Sequence, residues 1–328
     1  MWCAPSRDGR KSFMLRALRL VPAQWLALWP ARWLAQWPAQ WLALWFALWL
    51  ALLASVAQAQ LTEVRLPDGR SYQIALPDGV LRPQVIIGLH GGGGNPLQFA
   101  LNSGLMRPAL ANGHAVMFAA GTSRAGPLLA WNAGYCCGPA AARGVDDIGF
   151  LDRVIDDAAA RFGTDRDGVF ITGMSNGAMM AEAYAAARPG RVRAVAGVAG
   201  TLDLARFAPR GAVPLLHIHG TADTAVPYAG GFSQSGVTRT DFTPVAAVIA
   251  AFVAAAPGPL RMQATQVDGP LPVTRHDWLR PDGRAMVRLI TIEGGTHVWP
   301  GGRRARRSGQ GDGVNATQEI LAFFALYR

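Results

Sequence analysis

The sequence predicts an α/β fold, a mostly parallel sheet covered by helices on both faces. Three observations predict it. Strand-like and helix-like runs alternate through most of residues 60–328, the pattern of crossover-connected parallel strands. One strand-like run turns abruptly into a helix-like run at residues 168–187. The chemistry-bearing residues fall at or just after the ends of strand-like runs, where open α/β sheets bind their ligands.

Taken in order, residues 61–66 and 71–76, separated by Pro67-Asp68-Gly69, read as an antiparallel hairpin. Runs 84–89 and 115–120 read as strands, with one helix near 96–111 between them. Residues 145–162 have the 3.6-residue apolar period of an amphipathic helix leading into strand 168–174. Helix 176–187 follows, rich in Ala and Met. Runs 193–200 and 214–219 continue the parallel core, and 246–255 is a helix. Residues 262–266, 274–279 and 286–292 read as late strands, and 316–327 as a helix with one apolar face. The irregular stretch 121–143 is long for a connection, and long loops are often functional. With 232–243 it is expected to border the pocket.

Residues 1–59 read as a secretory signal and residues 60–328 as a single catalytic domain. The first segment carries a basic start (Arg10, Lys11, Arg16) and then an octapeptide repeat at 22–29, 30–37, 38–45 and, more loosely, 46–53. That repeat holds seven of the eleven tryptophans. An eight-residue unit is too short for a stacked-repeat fold. The segment closes on Ala57-Gln58-Ala59, a small-residue cleavage signature. Residues 33–57 carry no charge and are long enough to span a bilayer, so an uncleaved anchor is the competing reading. Cleavage leaves a secreted chain, extracellular or periplasmic, with no membrane association.

Beyond residue 59 the chain holds 25 arginines and no lysine against 20 acidic residues. That surplus is modest and dispersed, and it does not indicate a nucleic-acid partner. The one local cluster is Arg303, Arg304, Arg306 and Arg307. It reads first as a solvated loop. As a functional hypothesis it draws acidic substrates, such as uronic-acid-bearing polysaccharide, to the mouth of a site.

The chemistry begins at Gly173-Met174-Ser175-Asn176-Gly177, a G-x-S-x-G at the strand-to-helix join. A tight turn there lifts the serine hydroxyl above the sheet, and the flanking glycines avoid a Cβ collision. A serine hydroxyl is a weak nucleophile and needs a base, itself oriented by an acid. His297 sits on a glycine-flanked loop just past strand 286–292 and is the expected base. His217 and His219 alternate within a buried-looking strand and read as core residues, and His276 as a surface residue. Asp223, just after strand 214–219, is the expected acid. Asp146, Asp147 and Asp152 precede the serine and read as helical. Two amides should cradle the oxyanion, from Asn176 and from Leu89-His90-Gly91-Gly92-Gly93-Gly94-Asn95, where Gly92 is preferred over Gly91 or Gly93. That loop lacks the Lys-Ser/Thr of a phosphate-binding loop and the spacing of a dinucleotide site.

These motifs, with Trp131 to Leu151 between them, resemble in order the extracellular poly(3-hydroxybutyrate) depolymerase-like esterases, relatives of feruloyl and acetylxylan esterases. The resemblance covers nearly all of residues 60–328. It implies an α/β-hydrolase fold and ester hydrolysis through Ser175, Asp223 and His297, on hydroxyalkanoate, ferulate or acetyl esters, small or oligomeric. Many polymer-degrading members carry a linker and a binding domain, neither of which is visible here. A serine peptidase of the same fold, or a non-catalytic binding or wall-associated protein on the scaffold, are the alternatives. Trp131, Tyr135 and Trp299 are expected to touch substrate. Cys136 and Cys137 are adjacent, so an intrachain disulfide between them would be vicinal. No zinc-type spacing is present, and neither metal nor cofactor is expected.

Overall fold

The computed structural model describes residues 60–328 except 124, 125, 127, 236–239 and 308–312. Residues 1–59, expected from the sequence to be a secretory signal with an octapeptide repeat, lie outside the described residues. The described chain opens with β1 (Thr62–Arg65), β2 (Ser71–Ala75) and β3 (Val85–Leu89). Helices α1 (Pro96–Ser103) and α2 (Met106–Ala111) lead to β4 (Ala115–Ala119). Helices α3 (Gly138–Ala142) and α4 (Asp147–Phe162) precede β5 (Val169–Met174) and α5 (Asn176–Ala187). Next come β6 (Ala194–Val198), β7 (Leu215–Gly220), β8 (Gly231–Phe232), β9 (Asp241–Phe242) and α6 (Val245–Ala254). Strands β10 (Arg261–Val267), β11 (Val273–Leu279) and β12 (Ala285–Ile292) are followed by α7 (Arg303–Arg307) and α8 (Ala316–Phe324).

Ten strands form one sheet in the order β1-β2-β4-β3-β5-β6-β7-β12-β11-β10. The six from β4 to β12 in that order pair in parallel, and the strands outside them pair antiparallel. All residues of β3, β4, β6 and β7 are buried, as two-sided cover requires. Period-two geometry then divides the core. Ile87, Ile171 and Leu215 join Phe150, Val154 and Tyr184 under α4 and α5. Ile86, Phe170 and Leu216 point the other way, to Phe99, Phe323 and Phe324 of α1 and α8.

The single helix expected over 96–111 is two. Gly104 at φ 64° terminates α1 in the left-handed region, where its N–H bonds Ala100 O, and α2 starts afresh. The last helix stops at Phe324 and tightens into a 3-10 turn over Ala325–Tyr327. The parallel register aligns the carboxyl ends of β3, β5, β6, β7 and β12 along one rim, with Leu89 beside Gly173, Met174 beside Val198, Val198 beside Ile218, and Ile218 beside Ile290.

Candidate active site

Ser175 stands between β5 and α5 at φ 57°, ψ −126°. A non-glycine residue there costs of order 1–3 kcal/mol and persists only where its surroundings over-determine it. Here Ser175 N–H donates to Val198 O (2.9 Å), and Ser175 O accepts from Met179 N–H (3.0 Å). The flanking glycines do what the sequence requires of them. A Cβ on Gly173 would lie 2.9 Å from Ala178 N, and one on Gly177 would lie 2.5 Å from His90 O.

The glycine loop after β3 is tied down by His90. Its Nε2 accepts Gly121 N–H (3.0 Å), so its Nδ1 carries the proton and donates to Gly91 O (2.9 Å). Burial first, and the nearby Arg70 charge, lower its pKa to about 4 against the opposing Gly91 hydrogen bond, so the ring is neutral at pH 7. Gly94 N–H is used by Gly91 O, and Gly93 N–H by Leu129 O. The N–H groups of Gly91 and Gly92 make no hydrogen bond among the described residues, so the choice of loop donor narrows to these two. A Cβ on Gly91 would sit 3.4 Å from Ser175 Cβ, nearer the serine than Gly92, whose Cβ would face Asn176 at 3.7 Å. Asn176 opens α5 and is buried. Its amide bonds the Trp131 backbone twice, accepting at 2.8 Å and donating at 3.1 Å.

Asp223 follows β7, and His297 follows the adjacent β12. His297 Nδ1–H donates to Asp223 Oδ2 at 2.7 Å, which leaves Nε2 of the neutral ring as an acceptor. Asp223 Oδ1 accepts from the N–H groups of Ala225 and Val226, both at 2.8 Å. His219 adds a second imidazole, with Nε2 3.4 Å from Asp223 Oδ2 and 2.9 Å from Val226 O. Burial pushes the Asp223 carboxyl up. Hydrogen bonds from His219 and His297 outweigh it and hold the group well below the usual carboxylate range.

Ser175 and His297 open onto one cavity of about 540 Å³, together with the glycine loop, Phe99 and Leu101. No hydrogen bond joins Ser175 Oγ to His297 among the described residues. Such contacts commonly tighten only with substrate bound. Arg303, Arg304 and Arg307 line the same cavity.

The expected substrate contacts are corrected. Trp131 and Trp299 are both fully buried. Trp131 Nε1–H donates to His90 O (2.9 Å) beneath the glycine loop, and its ring stacks on Phe150. Trp299 Nε1–H donates to Thr317 Oγ1 (3.1 Å), and its ring packs edge-on to Phe99. Neither face is open to a ligand. Tyr135 is half-buried, with its ring edge-on to Phe242 and its hydroxyl 3.5 Å from Thr243 Oγ1, away from the cavity. Stretches 121–143 and 232–243 contribute no described residue to the cavity wall. His217 and His219 are buried as expected, but they are not inert packing, since they form a hydrogen-bonded run behind Asp223. The recoverable signal is their period-two spacing on one strand face, with His219 four residues before Asp223. The sulfurs of Cys136 and Cys137 face each other as a vicinal pair, with Cys136 buried in the core.

Residues 145–243 match a family of phospholipases and carboxylesterases. The protein named "Putative esterase NocK" of Nocardia uniformis subsp. tsuyamanensis is 31% identical over 70% of this chain and 68% of its own length. Feruloyl esterase C of Emericella nidulans is 30% identical over 53% of this chain and 65% of its own. An acetyl xylan esterase from Aspergillus awamori shares the fold at TM-score 0.52 and 16% identity, covering 77% of this chain and 99% of its own. The chain therefore belongs to the carboxylic-ester hydrolases of the α/β-hydrolase fold.

Proposed function

We propose that this esterase is a secreted serine enzyme working through an acyl-enzyme on Ser175. Ser175 Oγ attacks the ester carbonyl carbon while His297 Nε2 takes its proton. The oxyanion is met by the N–H of Asn176 and an N–H of the glycine loop. The C–O bond to the alcohol breaks as His297 returns the proton to the leaving oxygen. Water then attacks the acyl carbon, again with His297 as base, and Ser175 is released. The observation that carries this reading is the 2.7 Å Asp223–His297 hydrogen bond, with His297 and the strained Ser175 sharing one cavity. A feruloyl or hydroxyalkanoate acyl group is the substrate class the sequence resemblance favours. Export after cleavage before Gln60 completes the reading, and N-terminal sequencing of exported protein checks it.

The test is turnover of p-nitrophenyl acetate by wild type and Ser175→Ala. The variant is expected to lose roughly 10⁴- to 10⁶-fold in kcat, because such residues act as a unit. Equal rates would overturn the mechanism and favour a non-catalytic scaffold. Specificity constants on methyl ferulate, hydroxybutyrate oligomers and acetylated xylan then rank the acyl groups.

A further inference from the structure

Helix α7 brings three arginines to the wall that holds Ser175 and His297. The helix is seated by Ala305, which is fully buried, and by Arg304 N–H, which donates to Asn102 Oδ1 at 2.9 Å. Arg306 turns aside to Gly301 O. Arg303, Arg304 and Arg307 line the cavity, which has no carboxylate in its described wall. None of the three side chains makes an ion pair or hydrogen bond among the described residues. Three positive charges at the rim of a cleft, with no carboxylate beside them among the described residues, raise the local concentration of anions and favour a bound negative charge beside the reacting carbonyl. We infer that the substrate is an ester bearing an ionised carboxylate, held by Arg303, Arg304 and Arg307 beside the scissile bond. The inference rests on the esterase reading and specifies its substrate class.

Two matched ester pairs test it. On the acyl side, p-nitrophenyl hydrogen adipate is compared with its methyl ester. On the alcohol side, 4-acetoxybenzoate is compared with its methyl ester. The ratio of kcat/KM within the matching pair is expected to favour the anion about ten-fold or more at low salt and to shrink in 0.5 M NaCl. The pair that shows the preference identifies the charged side. In the Arg303→Gln/Arg304→Gln/Arg307→Gln variant the ratio should fall toward one. The salt series on wild type gives the same answer without a variant. Turnover of both members of each pair at ratios near one would overturn the inference while leaving the esterase intact. Absence of turnover on all four esters would overturn both.

A second, independent observation lies behind Asp223. His219 Nδ1 is 3.1 Å from His217 Nε2, and His217 Nδ1 is 2.7 Å from Glu182 Oε1, all three residues being fully buried. Gly197 leaves the room that Glu182 fills, since any Cβ there would collide with Oε1. The direction of the run follows from counting protons. Both partners of His219 Nε2, Val226 O and Asp223 Oδ2, are acceptors, so Nε2 carries the hydrogen. Nδ1 of the neutral ring must then accept from His217 Nε2–H. One proton is thereby held between His217 Nδ1 and Glu182 Oε1. The geometry points to His219 as a positioning residue, fixed in one tautomer by Glu182 and His217 so that it donates toward the carboxylate that orients His297.

Nitrogen NMR of ¹⁵N-histidine-labelled wild type should find His219 protonated on Nε2 and bare on Nδ1. The opposite tautomer would overturn the proposal. His219→Phe should lower kcat about ten-fold or more with KM within about two-fold, since a misaligned base slows chemistry without touching substrate. His219→Gln, whose amide N–H can take the place of Nε2–H, should recover most of the loss. Glu182→Leu should fall and Glu182→Gln should recover in the same way. An unchanged kcat in folded His219→Phe would overturn the assignment.

Discussion

Replacing Gly177 by alanine tests the packing that sets the elbow. The added Cβ would sit 2.5 Å from His90 O and 2.7 Å from Leu89 C, and it would press on Leu89 O as well. Ordinary contact needs roughly 3.5 Å, so either α5 or the end of β3 must yield by about 1 Å. All three obstructing atoms are backbone, and no side-chain rotation relieves them. Overpacking of this kind costs about 1–3 kcal/mol. In a domain of this size each kcal/mol lowers Tm by about 2–4 °C, so a fall of roughly 2–12 °C is expected. The same displacement moves Ser175 relative to the glycine loop, and a shift near 1 Å at a reacting centre costs on the order of 100-fold. The assay pairs a thermal melt with kcat on p-nitrophenyl acetate at a temperature where the variant is fully folded. A variant matching wild type in both Tm and kcat would refute the claim that contact between α5 and the loop after β3 sets the serine.

Three further outcomes follow from the site. Asp223→Asn keeps the volume but offers His297 an N–H in place of an acceptor, so the ring is held in the wrong tautomer. By the behaviour of such aspartates kcat should fall roughly 10⁴-fold, and a loss under ten-fold would show that Asp223 does not orient the base. Burial lowers the His90 pKa from 6.5 to about 4, so between those values the unfolded chain binds the extra proton. Stability is then full above about pH 6.5 and declines as pH falls toward 4. The decline reaches about 2–3 kcal/mol by pH 4.5 from this residue. Buried His114, its pKa also lowered to about 4, acts in the same direction, and a urea midpoint that is no lower at pH 4.5 than at 7.5 contradicts the sign. Reduction of the catalytic domain, residues 60–328, should add two hydrogens to its intact mass, from Cys136 and Cys137, and an unchanged mass would show two free thiols.

Local sequence determined the order of the main strands and helices. Most parallel strands are short apolar runs, and some helices carry their own period or cap, as where Asn95 caps α1 through Gln98 N–H. The elbow was legible because its requirements are local: small residues on either side of Ser175, a strand before and a helix after. Asp223 and His297 were legible because parallel topology sends every strand end to one rim, so a polar residue just past a strand is already near the others.

Tertiary structure decided the rest, because burial and partner choice depend on residues far apart in the chain. Trp131 and Trp299 lie in motifs that invite a substrate role, but which side of a loop faces the core is set by elements such as α4 and α8 that pack against it. Gly91 and Gly92 differ from Gly93 and Gly94 only because Leu129 O and Gly91 O consume the latter pair's N–H groups. Glu182, inside an Ala-rich helix, and His217, inside a buried strand, carry no local mark of their pairing. The arginines of α7 had the charge visible in the sequence. Only the fold set three of them in the cavity wall, where no carboxylate stands among the described residues.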